Sequence, residues 1–312
     1  MRILFMGTPD FAVPSLRALH AAGEEICGVW TQPDKPQGRK MRLTPPPVKQ
    51  AALELGLPVY QPETLRDGSQ QSLLEQLRPE LIVVVAYGKL LPEYILRYPA
   101  HGCINVHGSL LPKYRGAGPI QWAVIRGEKQ SGVTTMYMAK ELDAGDMLLR
   151  CAVDIDENET AGELYDRLRE LGARVLLETL DALRRGTLHP EPQQEEQASY
   201  APMLRREMAQ VDWNLPAQQI HNQVRGMNPW PVAQTVWQGD SLKIYRTALS
   251  GQGSRAGQPG EIVCSSPKEG LRVLCGDGRT LELMEIQIRG GKRMAARDFL
   301  RGHAMPVGEI LG

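Results

Sequence analysis

The chain has 312 residues and carries 36 Lys and Arg against 36 Asp and Glu, so its formal charge is zero. With 42% apolar and 23% charged residues its composition is that of a folded globular protein, which excludes wholesale disorder. The zero total also excludes a uniformly basic nucleic-acid coat, though not a locally basic face.

At roughly 100–200 residues per domain, the length predicts two domains. The N-terminal apolar run stops at Gly7-Thr8-Pro9-Asp10, too short for a signal peptide, so residues 2–6 are predicted to be the first strand and the protein is expected to stay in the cytoplasm. A helix over 11–22, a strand over 25–30, a helix over 48–55, a strand over 57–60 and a helix over 72–77 follow. Residues 81–86 are continuously apolar, with consecutive β-branched residues from Ile82 to Val85, as suits a parallel strand buried on both faces, and 102–106 is a further strand. Strands alternating with helices predict a doubly wound, mostly parallel, Rossmann-like α/β sheet. Residues 160–185 then form a long amphipathic helix with Leu164, Leu168, Leu171, Val175, Leu176, Leu180 and Leu183 on one stripe.

From Gly186 to Tyr200 the chain is rich in Pro, Gln and Glu, which suits a linker on the surface. After a helix over 217–225, short β-type runs at 233–237, 242–247, 261–264, 271–274 and 280–288 predict a small β-barrel of the OB type. The expected organisation is therefore a Rossmann-like domain over 1–187, a linker over 188–206 and an OB-like barrel over 207–312. The five cysteines lack Cys-x-x-Cys spacing and histidines at ligand intervals, so reduced thiols are expected, with no disulfide framework and no metal site. The longest apolar run, 81–87, is far too short for a membrane span.

The first βα turn has one glycine where a dinucleotide fingerprint needs three, and Trp30-Thr31-Gln32 stands where an acidic residue would end the second strand. A nicotinamide-dependent dehydrogenase is disfavoured on both counts. Thr8 or Asp10 is available to cap the following helix. The richest chemistry lies in Asn105-Val106-His107-Gly108-Ser109-Leu110-Leu111-Pro112. Asn105 and His107, two apart at a strand end, emerge on one face with an amide donor and a titratable imidazole. Downstream, Leu142-Asp143-Ala144-Gly145-Asp146 puts carboxylates on a tight connection between the β-type runs 133–138 and 147–153. An amide, an imidazole and a carboxylate converging on one sheet edge can polarise a carbonyl and manage the protons of an attacking amine.

These segments, together with Gly7-Thr8-Pro9-Asp10-Phe11, Thr31-Gln32-Pro33-Asp34 and Arg115-Gly116-Ala117-Gly118-Pro119-Ile120, resemble the methionyl-tRNA formyltransferase family over essentially the whole chain. The Asn…His…Ser-Leu-Leu-Pro and Leu-Asp-x-Gly motifs are shared with glycinamide ribonucleotide and sugar-nucleotide formyltransferases. The loop 34–49, the Arg-Gly-Ala-Gly-Pro-Ile run and Asn228-Pro229-Trp230-Pro231 point to the tRNA enzymes within that wider group. The resemblance implies formyl transfer from 10-formyltetrahydrofolate to the α-amine of methionine on initiator tRNA. It further implies a catalytic set of Asn105, His107 and Asp143, and a folate site lined by Ser109, Leu110, Leu111 and Pro112 with Tyr87 nearby. No metal is implied, and the enzyme is expected to act as a monomer.

A tRNA partner requires cations, and the zero total hides them. Residues 34–49 hold Lys35, Arg39, Lys40, Arg42 and Lys49 against Asp34 alone, and from Arg205 onward there are 3 Lys and 11 Arg against 4 Asp and 6 Glu. The loop, with Arg39 as its leading contact, is expected to meet the acceptor end. Arg205, Arg206, Arg225, Lys243, Arg246, Lys292 and Arg293 are candidates for backbone contacts. Trp213, Trp230 and Trp237 could stack on bases, although core positions suit tryptophans at such spacing better. The rival readings are a formyltransferase for a small nucleotide-linked amine, which needs neither basic loop nor second domain, and a non-catalytic tRNA-binding protein, for which an intact Asn105/His107/Asp143 set has no use.

Overall fold

The computed structural model describes residues 1–38, 41–66, 68–250 and 256–312. By contact the chain divides into two units: residues 1–119, 131–153 and 165–201 form one, and residues 120–130, 154–164 and 202–312 form the other. Neither unit is a single contiguous stretch of sequence.

The first unit is built on β1 (Arg2–Gly7), α1 (Val13–Ala21), β2 (Glu25–Trp30), β3 (Lys35–Gln37), β4 (Arg42–Thr44), α2 (Pro47–Glu54), β5 (Val59–Tyr60), α3 (Gln71–Leu77), β6 (Leu81–Val85), α4 (Glu93–Leu96) and β7 (Cys103–His107). Beyond α5 (Pro119–Ile125), which falls almost wholly in the other unit, β8 (Gln130–Tyr137), β9 (Met147–Asp154) and most of α6 (Ala161–Arg185) follow. The sheet runs β5-β2-β1-β6-β7-β8-β9. Its β5-β2, β2-β1, β1-β6 and β6-β7 pairs are parallel, and β8 turns antiparallel against β7. Burial explains this arrangement. Ile3, Leu4, Phe5 and Met6 are fully buried and Leu81–Val85 nearly so, because the sheet's central strands are covered on both faces. The order reverses between β1 and β6, where a Rossmann-like sheet opens a crevice beyond its carboxyl edge.

Helix α6 begins at a capping box. Thr160 Oγ1 accepts from the Glu163 amide at 3.2 Å, and Glu163 Oε2 accepts from the Thr160 amide at 2.8 Å. Such a cap stabilises a helix end by roughly 1 kcal/mol. Leu168, Leu176 and Leu180 on the predicted stripe are fully buried, and Leu171 and Val175 nearly so.

The second unit contains α7 (Ala217–Gly226), β10 (Gln234–Trp237), β11 (Asp240–Ser250), β12 (Ile262–Ser266), β13 (Gly270–Leu274), β14 (Thr280–Ile288), β15 (Met294–Ala295) and α8 (Ala296–Phe299). These strands form an antiparallel sheet ordered β10-β11-β14-β13-β12, with β15 paired to β14. Among the described residues no ladder joins β10 to β12, so the pairings give an antiparallel sheet rather than a closed barrel. Trp213 and Trp237 lie in its core, 3% and 6% exposed, whereas Trp230 is half exposed.

Two expectations of secondary structure need correction. The basic loop expected over 34–49 carries the antiparallel strands β3 and β4, with Lys35 opposite Thr44 and Gln37 opposite Arg42. Strand 57–60 shrinks to Val59–Tyr60. Among the described residues no helix is long and apolar enough to cross a membrane.

Candidate active site

Strand β7 ends on His107, at the carboxyl edge of the sheet. Asn105 and His107 are buried, 9% and 6% exposed, so their polar atoms face protein or a bound molecule rather than bulk water. The chain then turns through Gly108 and Ser109. Ser109 Oγ donates to Lys113 O at 2.7 Å, while Thr134 Oγ1 donates to Ser109 O at 2.7 Å and accepts from the Leu111 amide at 3.2 Å. Ser109, Leu111 and Pro112 are buried in this turn and Leu110 is half-buried.

His107 is held by the loop that follows. Its Nε2 lies 2.9 Å from Tyr114 O, and a carbonyl only accepts, so Nε2 carries hydrogen and donates. That contact turns Nδ1 toward Asp143, whose Oδ2 is 3.7 Å away. Asp143 sits on the β8–β9 connection with a left-handed backbone, φ 49°, uncommon for a residue with a Cβ. Its Oδ2 also accepts from the Gly116 amide at 2.8 Å. Two residues later Gly145 passes so close to the backbone of Tyr137 that a Cβ would overlap Tyr137 O. The tight turn that carries the carboxylate therefore depends on that glycine. The imidazole thus has oxygen acceptors on both edges, with Nδ1 beside the partly exposed carboxylate.

The segment expected to be a plain linker supports this loop. Glu191 pairs its backbone with Met147 at the start of β9, with bonds of 2.9 and 2.8 Å. Gln193 Nε2 donates to the carbonyls of both Asp143 and Gly145 at 2.8 Å. Arg115, 2% exposed, donates Nε to Gln193 Oε1 at 3.0 Å and its two terminal nitrogens to the Glu195 carboxylate at 3.0 and 2.8 Å. The Glu195 carboxylate raises the Arg115 guanidinium further above its usual range, and the guanidinium in turn lowers Glu195. In the sequence Arg115 stands out only as part of a motif, and Gln193 carries no signal, being one glutamine among several in a polar stretch.

Thr8 does not cap a helix. Its Oγ1 donates to Tyr87 O at 2.8 Å, tying the first βα turn to the end of β6, and Gln32 Nε2 donates to the same carbonyl at 3.2 Å. Asp10 instead accepts from Tyr165 Oη at 2.7 Å and from Arg169 at 3.3 Å. The Tyr87 ring is 1% exposed inside the core cluster of β1, β2 and β6, and burial pushes its phenol above the usual range.

The expected tRNA contacts are placed as follows. Arg39 and Lys40 lie outside the described residues. Lys35 and Arg42 are exposed on the hairpin, where Lys35 Nζ donates to Gln32 Oε1 at 2.8 Å. Lys49 is committed elsewhere, its Nζ donating at 2.8 Å to both Asp34 carboxylate oxygens and to Gln61 Oε1; Lys49, together with Gln61 Nε2 donating to Asp34 Oδ1 at 2.7 Å, holds Asp34 below the usual carboxylate range. In the second unit Arg205, Arg206 and Lys292 are exposed and Lys243 is half-buried on β11. Arg246 pairs with Glu163 and Arg293 with Glu285. Arg225 is not a surface cation. It is 6% exposed and donates to Asn222 Oδ1 at 3.0 Å and to the Glu159 carbonyl at 3.2 Å.

Comparison with known proteins bears on this geometry. The formyl transferase family profile matches residues 1–180, and the profile of the formyl transferase C-terminal domain matches residues 203–304. The chain is 51% identical to the methionyl-tRNA formyltransferase of Pelotomaculum thermopropionicum, over all of this chain and 99% of that one. It is 47% identical to that of Bacillus subtilis, over all of this chain and 98% of the other. Among solved structures it is similar to an N-formyltransferase from Helicobacter canadensis in complex with folinic acid and dTDP-3-aminofucose, with a TM-score of 0.67, 16% identity, and coverage of 91% of this chain and 98% of that one. At that identity the likeness is one of fold.

Proposed function

The chain belongs to the methionyl-tRNA formyltransferase family, and from that premise we propose that it transfers the formyl group of 10-formyltetrahydrofolate to the α-amine of methionine esterified to initiator tRNA. The observation that carries the reading at the site is the convergence of Asn105, His107 and Asp143 on the carboxyl edge of the sheet, with His107 Nδ1 turned toward the carboxylate.

The donor set fits the chemistry. When bound, the formyl donor supplies an electrophilic carbonyl and a leaving nitrogen, so the protein needs hydrogen-bond donors for the formyl oxygen and a base for the amine proton. The Asn105 amide donates to the oxygen as charge develops there. His107, protonated and aligned by Tyr114 O, donates from Nδ1 to the same charge. Asp143, with Oδ2 3.7 Å from Nδ1, stabilises the imidazolium by its charge and helps to take the amine proton. Ser109, Leu110, Leu111 and Pro112 belong to the folate side of the crevice, and Tyr87 supports it from the core behind.

The β3–β4 hairpin, with Lys35 and Arg42, engages the acceptor end of the tRNA. The residues from 207 onward, whose open antiparallel sheet we read as an OB-like platform for tRNA, contribute Lys243 and Lys292 to the backbone contacts, and Arg205 and Arg206 precede them. What supports that reading is the surplus of cations after Arg205 and the run of short antiparallel strands with register shifts in β11. We read the protein as a single chain acting in the bacterial cytoplasm; the relatives named above are bacterial.

The test is an acceptor panel. With 10-formyltetrahydrofolate, methionyl initiator tRNA is expected to be formylated, while free methionine, glycinamide ribonucleotide and an amino-sugar nucleotide are not. Preferential formylation of a small amine would reject the tRNA reading.

A further inference from the structure

We propose that Gln193, held in place by Arg115, is a positioning residue for Asp143, so that the polar segment from Glu191 to Ala201 acts as a strap completing the active site. The inference rests on the reading of Asp143 as catalytic. Asp143 adopts φ 49°, a left-handed conformation uncommon for a residue with a Cβ that persists where its surroundings over-determine it. Gln193 supplies that constraint. Its single amide nitrogen bridges the carbonyls of Asp143 and Gly145, one on each side of Ala144.

The orientation of that amide is forced by its neighbours. Arg115 Nε only donates, so it must face Gln193 Oε1, and the two carbonyls only accept, so they must face Nε2. A buried guanidinium thereby fixes which end of Gln193 meets the catalytic turn, and Glu195 fixes the guanidinium with a two-pronged ion pair. The same strap reaches the other arm of the site. Ser199 Oγ accepts from the Tyr114 amide at 2.9 Å, and Tyr114 O receives His107 Nε2. The Ala201 amide donates to Arg115 O at 2.7 Å, beside Gly116, whose own amide binds Asp143 Oδ2. One segment of main chain thus sets the positions of both the imidazole and the carboxylate.

The experiment uses the full-length protein with methionyl initiator tRNA and 10-formyltetrahydrofolate. Gln193→Glu keeps the side-chain length and the Arg115 partner but carries no N–H for the two carbonyls, and Gln193→Met removes all three contacts. Each should lower kcat about 10- to 100-fold, the scale of a misplacement of about 1 Å, with KM for tRNA and folate within about 3-fold of the parent. In an Asp143→Asn background, measured in single turnover, the same substitutions should cost less than about 2-fold more, because Gln193 acts through the carboxylate. If Gln193→Met does not fold, Gln193→Glu carries the test, since it retains the Arg115 contact. A kcat within 2-fold of the parent in the folded Gln193 variant would overturn the proposal, as would losses that multiply with Asp143→Asn. Full activity in Asp143→Asn alone would overturn the catalytic reading of Asp143, and the positioning role with it.

Discussion

His107 Nδ1 stands 3.7 Å from Asp143 Oδ2, although the imidazole ends strand β7 and the carboxylate lies beyond β8 on a different connection. Two backbone groups make this approach. The Tyr114 carbonyl takes the far side of the ring, and the Gly116 amide takes the carboxylate. The pair is therefore positioned by the loop between them as much as by their own strands.

Gly145→Ala tests that dependence. The added methyl meets Tyr137 O inside contact distance, so the β8–β9 turn must open and carry Asp143 with it. We expect a loss of stability of about 2–3 kcal/mol, read by thermal or denaturant unfolding, and a lower kcat in the protein that remains folded at assay temperature. Unchanged stability and activity would mean that the turn relaxes without cost.

Arg42→Ala tests the hairpin. Arg42 is exposed at the first position of β4, opposite Gln37, and its charge is available to phosphate. The apparent KM for tRNA should rise several-fold at low salt, and the slope of its logarithm against the logarithm of salt concentration should fall by about one. KM for folate should not change. A tRNA response identical to the parent's at every salt concentration would remove Arg42 from the interface.

A pH dependence follows from His221, buried on α7 with Nδ1 at 2.9 Å from Thr247 Oγ1 and Nε2 at 3.1 Å from the Glu157 carbonyl. Burial lowers its pKa below the ordinary value of about 6.5, and the nearby Arg225 adds to this. The unfolded chain then binds the proton more readily than the folded one. The stability associated with neutral His221 is fully present above about pH 6.5 and is lost as pH falls below it. Differential scanning calorimetry between pH 7.5 and 5.5 should give a larger drop in Tm for the parent than for His221→Gln. Parallel Tm curves would contradict the assignment.

Much of this molecule was legible from pattern alone. Leu81–Val85 reads as a central parallel strand because all five residues are apolar and β-branched or Leu, and the stripe that begins at Leu164 behind Thr160 and Glu163 marks α6 to within one residue. Asn105 and His107 could be placed at a strand end because a period of two puts both on one face. What failed to show was set by long-range hydrogen bonding. The β3–β4 hairpin lies in a Pro- and Gly-rich basic segment without alternation. Arg225 looked like a surface cation, and only the fold reveals that it serves buried carbonyls. Gln193 contacts backbone from distant segments, and no local periodicity encodes such a partner.

The most direct measurement is single-turnover formyl transfer to methionyl initiator tRNA by the parent and by folded Asn105→Ala, His107→Ala and Asp143→Ala, alongside tRNA affinity for each. If these three groups perform the chemistry, each variant should transfer at least about 100-fold more slowly, as expected when a transition-state donor or proton-transfer group is removed, while binding tRNA within a few-fold of the parent. Transfer at the parent's rate in all three variants would contradict the assignment of the active site to the carboxyl edge of β7.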